Sequence, residues 1–122
     1  MNAHHLANIL FVLIIISMTA NNPSESPLPP TSLTSIPSDT SISLMWSHGD
    51  ECFENCTFMY EVTWQQSGDG SSLRDTTTTE TSYTIEDLTP GTSYKIGVGA
   101  YCKENKSMKI YRNVTVADCK KL

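Results

Sequence analysis

Residues 87–102, DLTPGTSYKIGVGAYC, combine a turn signal with a strand pattern. Pro90 and Gly91 favour a reversal of the chain direction. After them, apolar or aromatic side chains recur at every second position: Tyr94, Ile96, Val98, Ala100 and Cys102. Because successive side chains of a strand point to opposite faces, this alternation predicts a strand with one buried face. A tyrosine opens that face and a cysteine closes it.

The same alternation occurs on both sides of this stretch, in residues 42–46, 58–64, 83–85 and 114–116. Weaker strand patterns surround Leu33 and Leu73, and residues rich in Gly, Pro, Ser and Asp separate the segments. The Thr-rich run 76–82 is typical of an edge strand or of a crossing between sheets. Seven short strands with this spacing predict an all-β protein, an antiparallel β-sandwich.

The order of these segments resembles the fibronectin type III family. Three features carry the resemblance: a tryptophan ending the second strand, an alternating aromatic pattern on the third, and Leu-x-Pro-Gly-Thr-x-Tyr at residues 88–94. The resemblance implies a seven-stranded, immunoglobulin-like sandwich with a tyrosine corner, in which the tyrosine hydroxyl bonds back to upstream backbone. It also implies a structural core that contains Trp46, Tyr60, Val62, Leu88 and Tyr94.

The chain divides into four predicted segments. Residues 1–20 contain an apolar run, 9–18, that is shorter than the ~20 residues of a membrane-spanning helix and precedes small residues. We interpret them as a signal peptide cleaved near Ala20, with a membrane anchor as the alternative. Residues 21–30 form a Pro/Ser-rich leader, 31–118 the sandwich domain, and 119–122 a tail. No second apolar run follows, so we expect no transmembrane segment in this chain.

The four cysteines would mature in an oxidising compartment, where disulfides are expected. In the resembled fold, the third and sixth strands are antiparallel neighbours, and Cys56 and Cys102 lie at the same end and face inward. This arrangement predicts a Cys56–Cys102 disulfide, with Cys52 as the alternative partner of Cys102. A rival pairing, Cys52–Cys56 with Cys102–Cys119, requires an irregular last strand.

Three kinds of site besides the disulfide are candidates. Asn55, Asn105 and Asn113 each begin a glycosylation sequon; we expect Asn105 in an exposed loop and Asn113 outward-facing on the last strand. A second kind is an acidic loop, which shares the segment HGDECFENC with two cysteines and a histidine. Since secretion favours disulfides over zinc there, we expect no metal and no cofactor. The third is a basic strip beside Lys95. The proposed binding residues of the loop and the strip are Asp50, Glu51, Glu54, Lys103, Lys106, Lys109 and Arg112.

Charge and motifs point to binding rather than catalysis. The net charge is −5; residues 25–87 hold eleven acidic residues and one basic residue, and residues 88–122 hold seven basic and two acidic residues. No nucleophile, phosphate-loop or paired-carboxylate motif appears, so we expect no enzyme activity and no nucleic-acid partner. The predicted function is a secreted or cell-surface adhesion module that recognises an extracellular protein, with a sulfated glycan as a further partner for the basic strip. The alternatives are a receptor ectodomain cut short, cytokine-receptor-like or from a receptor protein tyrosine phosphatase.

Overall fold

The structure is a computed structural model and describes residues 26–49, 57–68 and 70–118. Within these residues the chain forms eight strands and no helix, and therefore no helix long and apolar enough to cross a membrane. The strands are β1 (Thr31–Pro37), β2 (Ile42–Ser47), β3 (Phe58–Gln66), β4 (Arg74–Thr78), β5 (Ser82–Ile85), β6 (Ser93–Cys102), β7 (Asn105–Lys106) and β8 (Ile110–Thr115).

The strands form two antiparallel sheets. The first has the order β1-β2-β5; in the second, β3 lies between β4 and β6, and both β7 and β8 pair with β6. The predicted all-β antiparallel sandwich is confirmed. The eighth strand arises because the last strand of the expected seven is interrupted: β7 closes a short hairpin on β6 before the chain continues as β8.

The core lies between the two sheets and follows from the alternation in the sequence. In β2, Ile42, Leu44 and Trp46 are buried, while Ser43 and Met45 lie on the other face. Burying an aliphatic or aromatic side chain of this size contributes about 1.5–3 kcal/mol. The five side chains expected in the core are all buried. The core cluster is Ile42, Leu44, Trp46, Tyr60, Val62, Ile85, Leu88, Tyr94, Ile96, Val98, Ala100, Val114 and Val116.

The Thr-rich run both ends a strand and crosses between sheets. Thr76, Thr77 and Thr78 belong to β4, at the edge of the second sheet, and residues 79–81 lead to β5 in the first sheet. Leu73 is 60% exposed and precedes β4 rather than lying inside it. The strand that we expected around Leu73 therefore begins one residue later, at Arg74, and includes the threonines.

The end of the Pro-rich segment packs against the sandwich. Pro27 and Pro30 are buried. Gly49 lies close to this segment, since a Cβ on it would stand 3.0 Å from both the Leu28 Cβ and the Pro29 carbonyl oxygen. Residues 27–30 thus pack with the sandwich although no strand includes them.

The turn before β6 joins the two sheets. The Thr89 N–H donates to the Tyr94 hydroxyl over 3.2 Å, and the Leu88 N–H donates to the Thr40 carbonyl over 2.8 Å. Asp87 and Gly91 adopt left-handed backbone conformations with φ of 60° and 75°. This corner sets where β6 begins, and therefore the register of the strand that ends at Cys102.

Candidate binding surfaces

Cys102 marks one end of the sandwich, here called the cysteine end: His48, Gly49, Phe58 and residues 102–105. In the β3–β6 ladder Cys102 pairs with Phe58, two residues after Cys56 in the chain. The Cys102 side chain is buried and disulfide-bonded. Its partner is not among the described residues, since Cys52, Cys56 and Cys119 all lie outside them. The predicted Cys56–Cys102 pairing therefore lies outside the described residues, as do Asn55 and the acidic residues Asp50, Glu51 and Glu54.

Aromatic side chains pack against one another at the cysteine end. The His48 ring meets the Phe58 ring edge-on at a centroid distance of 4.3 Å, and its Nδ1 is 2.8 Å from the Tyr60 hydroxyl. Tyr60 also packs against Trp46, with ring centroids 5.5 Å apart. Burial raises the pKa of the Tyr60 hydroxyl. These contacts fix His48, the last histidine of the sequence, as part of a packed aromatic cluster.

The β6–β7 hairpin projects from the cysteine end. Lys103 and Glu104 form its two-residue turn, and Lys103 has a left-handed backbone with φ of 57°. Asn105 then pairs with Cys102. Asn105 therefore lies in a strand and is half-buried, not in the exposed loop that we expected. Its strand pairing with a disulfide-bonded cysteine anchors the hairpin.

The outward face of the second sheet, here called the outer face, is arranged in rows across β3, β6 and the last two strands. One row is Met59, Tyr101 and Lys106; another is Thr63, Gly97 and Tyr111; a third is Gln65, Lys95 and Asn113. Two of the outward positions of β6 are glycines. The sequence pattern treats them only as gaps between inward residues, although an outward glycine signals that something covers it.

Side chains of the last strand and the loop before it lie over these glycines. A Cβ on Gly97 would stand 2.7 Å from the Tyr111 Cε1 and 2.8 Å from the Thr63 Oγ1. A Cβ on Gly99 would stand 3.0 Å from the Lys109 Cγ. Tyr111 nevertheless remains 58% exposed. The outer face thus presents a partly exposed tyrosine ring against β6, which sequence reasoning missed.

The lysines of the outer face contact aromatic or acidic partners. The Lys95 Nζ lies 4.6 Å from the Tyr111 ring centroid, and the Lys106 Nζ lies 5.1 Å from that of Tyr101. Hydrogen bonding to Tyr101 raises the pKa of Lys106. Lys109 pairs with Glu61 at 3.2 Å, which offsets its charge.

Comparison with known families identifies the fold. The model of the fibronectin type III domain matches residues 28–115. The chain belongs to the fibronectin type III family. Modules of this family are generally non-catalytic and occur mostly in extracellular or cell-surface proteins. A search of curated protein sequences returns no match.

Several solved structures superimpose well on this chain. The domain from human fibronectin type III domain containing protein 3 matches with a TM-score of 0.68 and 24% identity, over 80% of this chain and 93% of that one. The FN3 domain of human collagen XX matches with a TM-score of 0.64 and 23% identity, over 77% and 97%. Domains d3-d4 of the rat CD45 extracellular region match with a TM-score of 0.68 and 17% identity, over 76% of this chain and 51% of that one. The chain therefore spans about half of that fragment, and at these identities the likeness shows the fold alone.

The predicted basic strip is divided in this fibronectin type III domain. Lys106 and Lys109 lie on or beside the outer face with Lys95, whereas Lys103 lies in the hairpin turn. Arg112 pairs with inward-facing Ile96, and its Nε donates to the Ser35 Oγ of β1 over 3.0 Å. Arg112 thus bridges the two sheets, because the strand alternation turns it away from the lysines.

Two concavities lie at the end of the domain opposite the cysteine end. One, of about 310 Å³, is lined by Lys95, Asn113 and residues 65–68 together with Gly70. The other, of about 370 Å³, is lined by Trp64, Tyr94, Arg74, Glu86 and Asp87, among others. Within the described parts of the chain no group of three or more His, Cys, Asp or Glu side chains could hold a metal ion.

Proposed function

We propose that this fibronectin type III module is secreted or displayed at a cell surface, and that it binds an extracellular protein through its cysteine end without catalysis. The observation that carries the proposal is the disulfide-bonded Cys102 at the base of the β6–β7 hairpin. Recognition residues concentrate in loops that a rigid scaffold positions. A covalent bond and a packed aromatic cluster under the hairpin supply that rigidity, and they limit the ordering cost of binding.

The sequence that follows Gly49 adds charge to the same proposal. It contains Asp50, Glu51 and Glu54, and the hairpin adds Lys103 and Glu104. Charged groups of both signs favour a polar protein partner of complementary charge, and such complementarity raises the association rate. A receptor ectodomain fragment is the alternative, supported by the structural likeness to part of an extracellular region. Coding sequence beyond Leu122 distinguishes the two.

A direct test begins with secretion. The 122-residue chain is expressed in a eukaryotic secretory host, and the N-terminus of the protein in the medium is determined by mass spectrometry. We expect processing near Ala20. Recovery of the chain only inside cells, or with Met1 retained, contradicts the proposal.

The binding surface is tested with two charge-conserving swaps on the secreted protein. The secreted protein is labelled with a fluorophore and titrated onto a panel of cell lines, and saturable binding is measured. Lys103→Glu with Glu104→Lys alters the hairpin; Arg74→Glu with Glu86→Lys is the matched control at the opposite end. We expect the hairpin swap to weaken binding about tenfold or more, which is ~1.4 kcal/mol, and the control to leave it unchanged. Equal effects of the two swaps, or no saturable binding, contradict the proposal.

A sulfated glycan is a second candidate partner, favoured by the exposed Lys106 beside Tyr101. Anionic chains bind exposed ammonium groups in a salt-dependent manner. We expect retention on a heparin column that is lost in the Lys106→Glu, Lys109→Glu variant. If the protein without these substitutions already elutes from heparin at physiological salt, this candidate is contradicted.

A further inference from the structure

We propose that Asn113 carries an N-linked glycan whose first sugar packs on the ring of Tyr111 beside Lys95. The proposal rests on the secretion proposed above. The sequon Asn113-Val114-Thr115 supplies the acceptor. The structure adds an ordered aromatic platform next to that acceptor, which the sequon alone does not imply.

Asn113 and Tyr111 lie on the same face of β8. They are two residues apart in a regular strand, so their Cα atoms are separated by about 7 Å and their side chains project in the same direction. Both side chains are exposed, whereas Val114 between the sequon residues is buried. A sugar attached to the Asn113 amide therefore starts within reach of the Tyr111 ring.

The Tyr111 ring is already held in place. It covers Gly97, where a Cβ would clash with it, and the Lys95 ammonium contacts it. A pyranose presents apolar C–H groups on its faces, and these pack on aromatic rings. Because Tyr111 needs little further ordering, such a contact has a low entropic cost.

Polar groups also line a concavity beside Asn113. Lys95 and Asn113 line the concavity of about 310 Å³ together with Gln65 and Gln66. Side-chain amides donate and accept hydrogen bonds, and an ammonium donates them. The hydroxyl and acetamido groups of an N-acetylhexosamine on Asn113 therefore find hydrogen-bonding partners in this concavity.

The covalent step is a substitution on a lipid-pyrophosphate-linked oligosaccharide, catalysed by the transferase of the secretory pathway as the chain is translocated. The Asn113 amide nitrogen loses a proton and forms a bond to the anomeric carbon. The bond from that carbon to the pyrophosphate oxygen breaks, and the lipid pyrophosphate leaves. No oxidant or reductant takes part.

Asn105 provides a matched internal comparison. Its sequon is intact, but Asn105 is half-buried, and the residue two positions before it is Lys103 rather than an aromatic residue. A glycan there lacks the platform. The outer face at Asn113 and the proposed binding surface at the cysteine end also lie apart: Lys95 and Tyr101, six residues apart in β6, are about 20 Å apart.

The test is a double-mutant cycle on protein secreted by a eukaryotic host, with glycans trimmed enzymatically to the first sugar. The four proteins are the unmodified sequence, Asn113→Gln, Tyr111→Ser and the double variant, and urea unfolding gives their folded-to-unfolded ratios. We expect loss of the Asn113 sugar to lower this ratio about fivefold with Tyr111 present and to leave it unchanged in the Tyr111→Ser background. Tyr111→Phe keeps the ring and should restore the effect.

The outcomes separate this inference from the proposed secretion. A processed N-terminus with sugar on Asn105 but none on Asn113 overturns the inference and leaves secretion standing. An equal effect of the Asn113 sugar with and without the Tyr111 ring overturns the packing. An unprocessed N-terminus with no sugar on any sequon overturns both.

Discussion

The Thr89 N–H donates a hydrogen bond to the Tyr94 hydroxyl over 3.2 Å, so the first aromatic residue of β6 secures the turn that precedes it. The Tyr94 ring is buried in the core at the same time. The Tyr94 side chain thus anchors β6 in the core and also fixes the position at which the strand begins. Since β6 pairs with β3, β7 and β8, this contact positions most of the second sheet.

Replacing Tyr94 with Phe should lower the free energy of unfolding by about 1–2 kcal/mol. The ring still fills the core, but the Thr89 N–H loses its acceptor. For a domain of this size, about 1 kcal/mol corresponds to roughly 4–8 °C in Tm. Urea and thermal unfolding measure the loss. Tyr111→Phe, at an exposed tyrosine, is the control and should change little; equal losses for the two variants would argue against the role of the Tyr94 hydroxyl.

Replacing Gly97 with Ala should destabilise the domain by about 1–3 kcal/mol, although alanine normally stabilises an extended chain relative to glycine. The new Cβ would meet the Tyr111 ring and the buried Thr63 hydroxyl at under 3 Å. Gly99→Ala is the matched comparison and should cost less, since its nearest atom is the flexible Lys109 Cγ at 3.0 Å. In the Tyr111→Ala background the cost of Gly97→Ala should shrink. An unchanged cost there would show that the ring is not the obstacle.

Cys102→Ser should destabilise the domain by about 2–5 kcal/mol, because it removes a native disulfide from a small domain. We predict that peptide mapping under non-reducing conditions links Cys102 to Cys56, a loop worth about 4 kcal/mol in the chain-entropy model. Cys119→Ser should leave stability unchanged. Asp118, one residue earlier, approaches Gly91, at the opposite end of β6 from Cys102. A Cys102–Cys119 peptide would disprove this pairing.

Alkaline pH should lower the free energy of unfolding of the domain, because the buried Tyr60 hydroxyl loses its proton. Burial raises the pKa of its hydroxyl above the model-peptide value of about 10, so the native state holds a proton that the unfolded chain releases. This contribution is complete below pH ~10 and is lost as pH rises through the native pKa. Unfolding of the protein and of Tyr60→Phe is compared between pH 8 and 11. Near neutral pH the variant should be less stable by about 1 kcal/mol, since His48 Nδ1 loses its hydroxyl partner; a parallel alkaline decline in both would contradict the assignment.

Period-two alternation was sufficient to predict the fold. Each strand buries one face, so the inward residues of β2, β3 and β6 can be identified from spacing alone, and Leu-x-Pro-Gly-Thr-x-Tyr at residues 88–94 places the corner. The residue types near the end of the chain did not predict how the last strand of the sandwich is divided. Nothing in residues 102–115 indicates that the chain turns at Lys103, pairs Asn105 with Cys102 and then resumes as β8.

The candidate surfaces depended on partners far apart in the chain. Arg112 looked like a member of the lysine strip, but register assigns it to the inward parity of Ile96 and brings it to Ser35, 77 residues away. Tyr111 was not singled out at all, because its importance comes from Gly97 on the neighbouring strand.

The sequence by itself therefore determined the sheet class, the buried faces and the corner, because those follow from alternation and turn chemistry within a few residues. Only the tertiary structure decided which lysines share a face, what covers the outward glycines of β6 and which aromatic ring lies beside Asn113. Those relationships are set by cross-strand register, which joins residues that are distant in sequence, and a shift of one residue would move every one of them to the opposite face.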